Sequence, residues 1–307
     1  MTIDGINISY YGMTLLDKSY NSLLKYPTRK SVKFSNYAEK DGIIPDLRKI
    51  EFEPRQISLN FAVKHDDYNN FKTKYENFIS HITETGHRII DFGDGLVYKL
   101  RYDKTNSYNA PFIIENRNGF ATLTVNFIED EFVIPNIQNP VGGINLRGHY
   151  LIDGKDFGDF GIYPDGKTGE VLKYPDTKQT FSDGLNIDTE TIKLKQKDIT
   201  IPLWMIAKTK TEFLNNYYAF FNAFNKKGKQ MMYIKEIDAI TYAYYLDCSN
   251  FTVSWDDFVF AKLQIRVMIP VITWLGRTDE IWLLLLDPAT NKLLGDENGK
   301  ALTLKIN

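Results

Sequence analysis

IEFEPRQISLNFAV, Ile50 to Val63, decides the fold, because the chain carries its apolar pattern twice. Ile50, Phe52, Ile57, Leu59 and Phe61 are apolar, at the spacing of strands that set one face against a core. Adding 142 gives Ile192, Leu194, Ile199, Ile201 and Leu203, all apolar as well. The same offset carries Phe71, Tyr75, Phe78, Ile79 and Ile82 onto Phe213, Tyr217, Phe220, Phe221 and Phe224, and Gly86 onto Gly228.

Working outward, IDG at Ile3-Asp4-Gly5 returns at Ile152-Asp153-Gly154, and LKYP at Leu24–Pro27 returns at Leu172–Pro175. Leu96, Tyr98, Leu100 and Tyr102 meet Ile240, Tyr242, Tyr244 and Leu246 at an offset of 144. Phe120, Ala121, Leu123, Val125 and Phe127 meet Phe260, Ala261, Leu263, Ile265 and Val267 at 140. Blocks in one order, with the offset drifting only between them, are what loop insertions and deletions leave after a duplication.

Each copy reads as turn-rich start, period-two strands, one amphipathic helix and two closing strands. The first helix lies in DDYNNFKTKYENFISHITETG, with Asp66 and Asp67 as N-cap candidates and an end near Gly86. The second lies in TKTEFLNNYYAFFNAFNKKG. The expected fold is mainly β (α+β), two tandem β-sandwich or barrel domains with one packed helix each. The expected boundaries are 1–134 for copy one, 135–145 for a linker (PNIQNPVGGIN, Pro135 to Asn145), 146–274 for copy two, and 275–307 for a C-terminal β extension.

The 307 residues accommodate two domains of ~100–200 residues each. At 43% hydrophobic and 25% charged, the composition is that of a folded protein, not a disordered one. Lys plus Arg (37) against Asp plus Glu (39) gives a net charge of −2, which argues against a nucleic-acid reader built on a basic excess. In KLKQK the alternation places Lys193, Lys195 and Lys197 on one strand face, read as a solvated face or a protected sheet edge. One cysteine, Cys248, excludes an intramolecular disulfide and reads as a packing residue. The start lacks the pattern of a signal peptide, and no apolar run approaches the ~20 residues that span a bilayer.

Several motifs invite a chemical reading. GIYPDGKT, Gly161 to Thr168, fits the phosphate-loop pattern, and IWLLLLD, Ile281 to Asp287, imitates a strand ending in a magnesium ligand. A phosphate loop needs a buried strand before it and a helix after it. Here KDFGDF precedes, Pro164 removes a donor, and Pro175 ends the room for a helix. At an offset of 149 the stretch matches GMTLLDKS, Gly12 to Ser19, so it belongs to a recurring structural loop. DFGDGL from Asp91 reads as a turn between strands. His65, His81, His87 and His149 lack metal-ligand spacing, with His81 and His87 expected at the surface near a helix end. Glu129-Asp130-Glu131 reads as a solvated carboxylate cluster, and the tyrosines of ITYAYYL as period-two core. No catalytic, cofactor-binding or metal-binding residue is assigned, and no enzyme activity is expected.

Copy one resembles the N-terminal domain of phage distal tail proteins, over about 130 residues. The resemblance rests on the early IDG turn, on RQISLNFAV leading into the helix FKTKYENFISHI, on RIIDFGDGLVYKLRY as strand–turn–strand, and on GFATLTVNFIEDEF as final strand. It implies a non-enzymatic structural component of a phage or prophage tail or baseplate, ring-forming around the tail channel. It implies partners among its own copies and the tube, tape-measure and tail-tip proteins, and a place in the virion tail after synthesis in the bacterial host cytoplasm. Many relatives carry a lectin-like second half, whereas this chain repeats the ring-type domain. The implied ring therefore has six chains, or three chains supplying six domains. The alternative function is a non-catalytic carbohydrate-binding or adhesion module.

Overall fold

The computed structural model describes residues 1–65, 68–109, 119–135, 137, 139–141, 150–165, 176–178, 193–234, 239–271, 281–284 and 303–306. Its first half contains β1 (Thr2–Ile3), β2 (Ile6–Asn7), β3 (Met13–Leu15), helix α1 (Ser19–Leu24), β4 (Phe34–Ser35), β5 (Ile44–Pro45), β6 (Arg55–His65), helix α2 (Tyr68–Thr83), β7 (Arg88–Asp91), β8 (Val97–Asn109) and β9 (Gly119–Glu129). The second half contains β10 (Tyr150–Ile152), β11 (Lys155–Asp156), β12 (Ile162–Pro164), β13 (Thr177–Lys178), β14 (Lys193–Leu194), β15 (Lys197–Ala207), helix α3 (Lys210–Phe224), β16 (Gln230–Ile234), β17 (Ala239–Trp255) and β18 (Val259–Ile269). In the C-terminal extension, β19 (Ile281–Leu284) pairs antiparallel with β20 (Thr303–Ile306). The helix N-caps expected at Asp66 and Asp67, the second LKYP, and Gly166 to Thr168 of the phosphate-loop match lie outside the described residues.

The chain is mainly β, as its alternation implies. Seven strands of each half form an antiparallel sheet, ordered β2-β1-β7-β8-β9-β6-β3 and β11-β10-β16-β17-β18-β15-β12. Place for place the two orders are the same. The long strands β8 and β17 pair with one neighbour along their first part and with another along the rest. Each shifts register, between Tyr102 and Lys104 in β8 and between Tyr245 and Asp247 in β17. Such bulges bend a strand and steepen its twist, so each sheet curls.

The repeated turns are built from the same chemistry. In both IDG turns the Asp is left-handed, with φ 49° at Asp4 and 47° at Asp153, and the following Gly also has positive φ. The turn carboxylates then fasten a neighbouring strand: Ile89 N donates to Asp4 Oδ1 at 2.7 Å, and Met231 N to Asp153 Oδ1 at 3.0 Å. Next come short 3-10 turns, Ile8–Tyr11 and Phe157–Phe160, each closed by a left-handed glycine, Gly12 and Gly161. A Cβ at Gly161 would stand 2.6 Å from the Ile206 carbonyl oxygen, so only glycine fits.

One offset is corrected by the pairing. Ile90 lies opposite Tyr98, and its counterpart Met232 lies opposite Thr241. The tyrosine strand therefore aligns at 143, not 144, and Tyr98, Leu100 and Tyr102 correspond to Thr241, Ala243 and Tyr245. A slip of one residue exchanges the two faces of a strand. The pattern misleads because Tyr244, on the outer face, is buried beneath Arg29. The lysine run is corrected as well: it is split between β14 and β15, and Lys197 is buried opposite Ile269 instead of sharing a solvated face.

The helices differ more than their shared pattern suggests. In α2 the buried residues Phe71, Phe78 and Ile82 form one face, against a largely polar exposed remainder. In α3 the burial continues from Phe213 through Phe224 on nearly every side. A helix that is apolar all round belongs inside a core. Here one side meets its own sheet and another meets residues from the first half.

Candidate interaction surfaces

The junction between the halves begins with α1. Ser19 and Ser22 hydroxyls occupy the backbone edge of β6, with Ser19 Oγ accepting from Asn60 N at 2.8 Å and Ser22 Oγ donating to Ser58 O at 2.7 Å. Side chains here replace a strand and protect that edge. The chain leaving α1 then enters the second half. Tyr26 stacks on Phe221 with ring centroids 3.9 Å apart, and its hydroxyl accepts from Asn225 Nδ2 at 2.9 Å. Tyr217 and Tyr245 donate to the Leu24 and Pro27 carbonyls at 2.7 and 2.9 Å. Burial pushes the Tyr26, Tyr217 and Tyr245 hydroxyls well up from their ordinary range, so they stay neutral.

Residues 28–49 form a flap across the second sheet. Arg29 N donates to Leu246 O, at the β17 bulge, at 2.7 Å, and Ile43 N to Pro270 O at 2.8 Å. Gly42 N donates to Leu194 O at 2.7 Å, while Lys178 Nζ reaches the Lys40 and Gly42 carbonyls at 2.7 and 2.6 Å. Gly42 has φ +63° with Pro270 against the place a Cβ would take, which explains glycine there. The flap's own hairpin, β4 with β5, leaves Phe34, Tyr37 and Ile44 exposed. The described part of the expected linker is fastened too: Asn222 Nδ2 donates to the Pro135 and Ile137 carbonyls, and Asn216 Oδ1 accepts from Val141 N.

Among the described residues the chemically suggestive side chains do not converge, and His149 and Asp287 lie outside those residues. Gly161 closes a 3-10 turn and leads into strand β12, so the first residues of the phosphate-loop match are strand backbone and not an open loop. DFGDGL is a turn, with positive φ at Gly93, Asp94 and Gly95. Cys248 is buried, and burial pushes its thiol up to about 12, leaving no useful thiolate. His81 is mostly buried and does not stand at the surface: Nδ1 meets Tyr11 Oη at 2.8 Å and Nε2 meets Asp4 Oδ2 at 3.2 Å. Of the acidic triplet, expected to be solvated, only Glu131 is exposed. Glu129 is buried against Arg55, and Asp130 accepts from Arg101 Nε at 2.7 Å and contacts His87 Nε2 at 3.0 Å. Burial disfavours the Arg55 charge, but Glu129 and Tyr98 outweigh it and raise the guanidinium pKa. Sequence proximity hid these pairs because their partners lie on other strands. Among the described residues no group of His, Cys, Asp and Glu could hold a metal ion.

Two concavities stand out among the described residues. A shallow one of about 410 Å³ lies between Asp17 and Tyr20 of the first half and Lys208 to Lys210 and Trp255 of the second. Lys210 covers its aromatic floor, 5.1 Å from the Tyr20 ring and 5.5 Å from Trp255, and pairs with Asp94 at 2.7 Å. The larger, about 700 Å³, is bordered by the flap and by Lys227, and its lining is strongly cationic.

No family model matches this chain, and no curated protein matches it. Among solved structures it is similar to the crystal structure of SPP1 Dit, described as a paradigm of the hub adsorption apparatus in phages infecting Gram-positive bacteria. The identity is 10%, covering 87% of this chain and 97% of that one, with a TM-score of 0.30. At that score the likeness decides neither fold nor function.

Proposed function

We propose that the chain is a structural component of a phage or prophage tail or baseplate, of the distal-tail or hub-like kind, and not an enzyme. Residues 1–134 and 146–274 are two copies of one ring-forming domain, joined by 135–145 and extended by 275–307. The reading is supported by the identical order of the two seven-stranded sheets, a repeated building block of the sort a ring uses. The sequence resemblance of copy one supplies the identity of that block.

Chains associate head to tail into a closed ring around the tail channel, as three or six copies. Tube, tape-measure and tail-tip proteins bind its faces, and the assembly resides in the virion tail. No cofactor takes part. The glycan-binding alternative gains nothing from Tyr20 and Trp255, whose faces are already occupied by Lys210.

Negative-stain electron microscopy of the purified protein tests this. Closed rings with a central opening are expected. Open filaments or single globules, unaltered by added tail proteins, would sink the proposal.

A further inference from the structure

The flap carries a charge arrangement that the ring reading does not use. Six cationic side chains, Arg29, Lys30, Lys33, Arg48, Lys49 and Lys227, line the groove of about 700 Å³, against the two carboxylates Asp46 and Glu51. Arg48 is already held by Asp46 through a two-pronged contact at 2.8 and 2.6 Å, and Lys30 lies 3.8 Å from Glu51. Lys33, Lys49 and Lys227 are exposed along the rim.

Arg29 forms the floor and sets this groove apart from a scatter of surface lysines. It is 4% exposed. Its Nη2 donates to Lys49 O at 3.1 Å and its guanidinium sits 5.4 Å above the Tyr244 ring. Nη1 is buried with no acceptor, and no carboxylate among the described residues pairs with this cation. Burying a cation without a counter-charge is costly, so an anion above it would be held more strongly than at an open surface. Both walls are fixed: Arg29 N is tied to Leu246 O, and Gly228 N, beside Lys227, donates to Leu47 O at 3.3 Å.

We propose that this groove is a binding site for the phosphate groups of a polyanion, seated over Arg29 and clasped by Lys33, Lys49 and Lys227. Among the described residues its uncharged lining is Ser31 and Val32, with no ring on which a base could stack. Recognition is therefore of phosphates and not of bases, whether they belong to a soluble oligophosphate or to a nucleic-acid backbone. The site does not depend on the chain forming a ring.

The test uses the full chain, titrated by calorimetry with tripolyphosphate, with a single-stranded DNA oligonucleotide and with a Glu-rich peptide over a series of salt concentrations. Both phosphate probes are expected to bind and to weaken with salt. Binding of tripolyphosphate alone identifies a soluble oligophosphate; tighter DNA binding identifies the nucleic-acid backbone. The triple variant Lys33→Gln, Lys49→Gln, Lys227→Gln, all at exposed positions, is expected to lose tenfold or more in affinity. For DNA its salt slope should fall by roughly two to three. A control triple, Lys72→Gln, Lys99→Gln, Lys262→Gln, removes the same charge elsewhere and should bind as the parent does. Equal loss in both triples, no binding of either phosphate probe at low salt, or preference for the peptide would overturn the site.

Discussion

At the scale of single residues, much of the polar chemistry is structural. Asp130 shows this in a form that pH can probe. The Arg101 guanidinium, and after the opposing effect of burial the His87 ring, hold its carboxyl below the ordinary 3.8. A carboxyl with a depressed folded-state pKa contributes stability above its unfolded value and loses it as pH falls through the folded one. Asp130→Asn is therefore expected to lower the Tm at pH 7. The difference from the parent should shrink as pH falls below the ordinary carboxylate range, where protonation weakens the same contacts. Thermal melts across pH check this, and a gap that stays constant down to acid would refute the assignment. Sequence alone located Asp130 but not its role, because Arg101 and His87 stand 29 and 43 residues away.

At the scale of elements, the turns were the most legible parts. Asp-Gly at positions 4–5 and 153–154, and glycine at 12 and 161, announce left-handed backbone that few other residues adopt. Gly161→Ala is expected to cost about 1–3 kcal/mol, from the left-handed φ and the close Ile206 carbonyl. Chemical denaturation measures it, and a loss below the experimental error would mean that this loop relaxes freely. The tyrosine strand was legible in existence but not in register. Tyr242 and Tyr244 look like core by type, yet both lie on the outer face, and only a covering flap from the other half makes Tyr244 a buried residue. Burial supplied by a distant segment leaves no local period to read. The same holds for α3, whose all-round apolar surface signals a partner on its second side without saying which.

At the scale of the whole molecule, the repeated sheets are joined by one continuous apolar core that includes Tyr26, Phe221 and Tyr245. The halves are therefore expected to unfold together, in one calorimetric transition. Tyr26→Ala removes the ring that stacks on Phe221 and should cost about 3–5 kcal/mol. It should also split or broaden that transition. Two well-separated transitions in the parent protein would contradict a shared core. The repeated order of elements could be read from the sequence, whereas the flap and the fastened linker could not, since their contacts, backbone bonds from the flap and asparagine side chains of α3 to the linker, join residues far apart in the chain.

The central claim, a repeated domain that closes into a ring, is tested most directly by the mass of the protein in solution. Light scattering after size exclusion, across a concentration series, is expected to give three or six times the chain mass. Three would mean that each chain supplies two ring positions, and six that the second copy lies outside the ring. A monomer at every concentration, unchanged when tail partners are added, would contradict it.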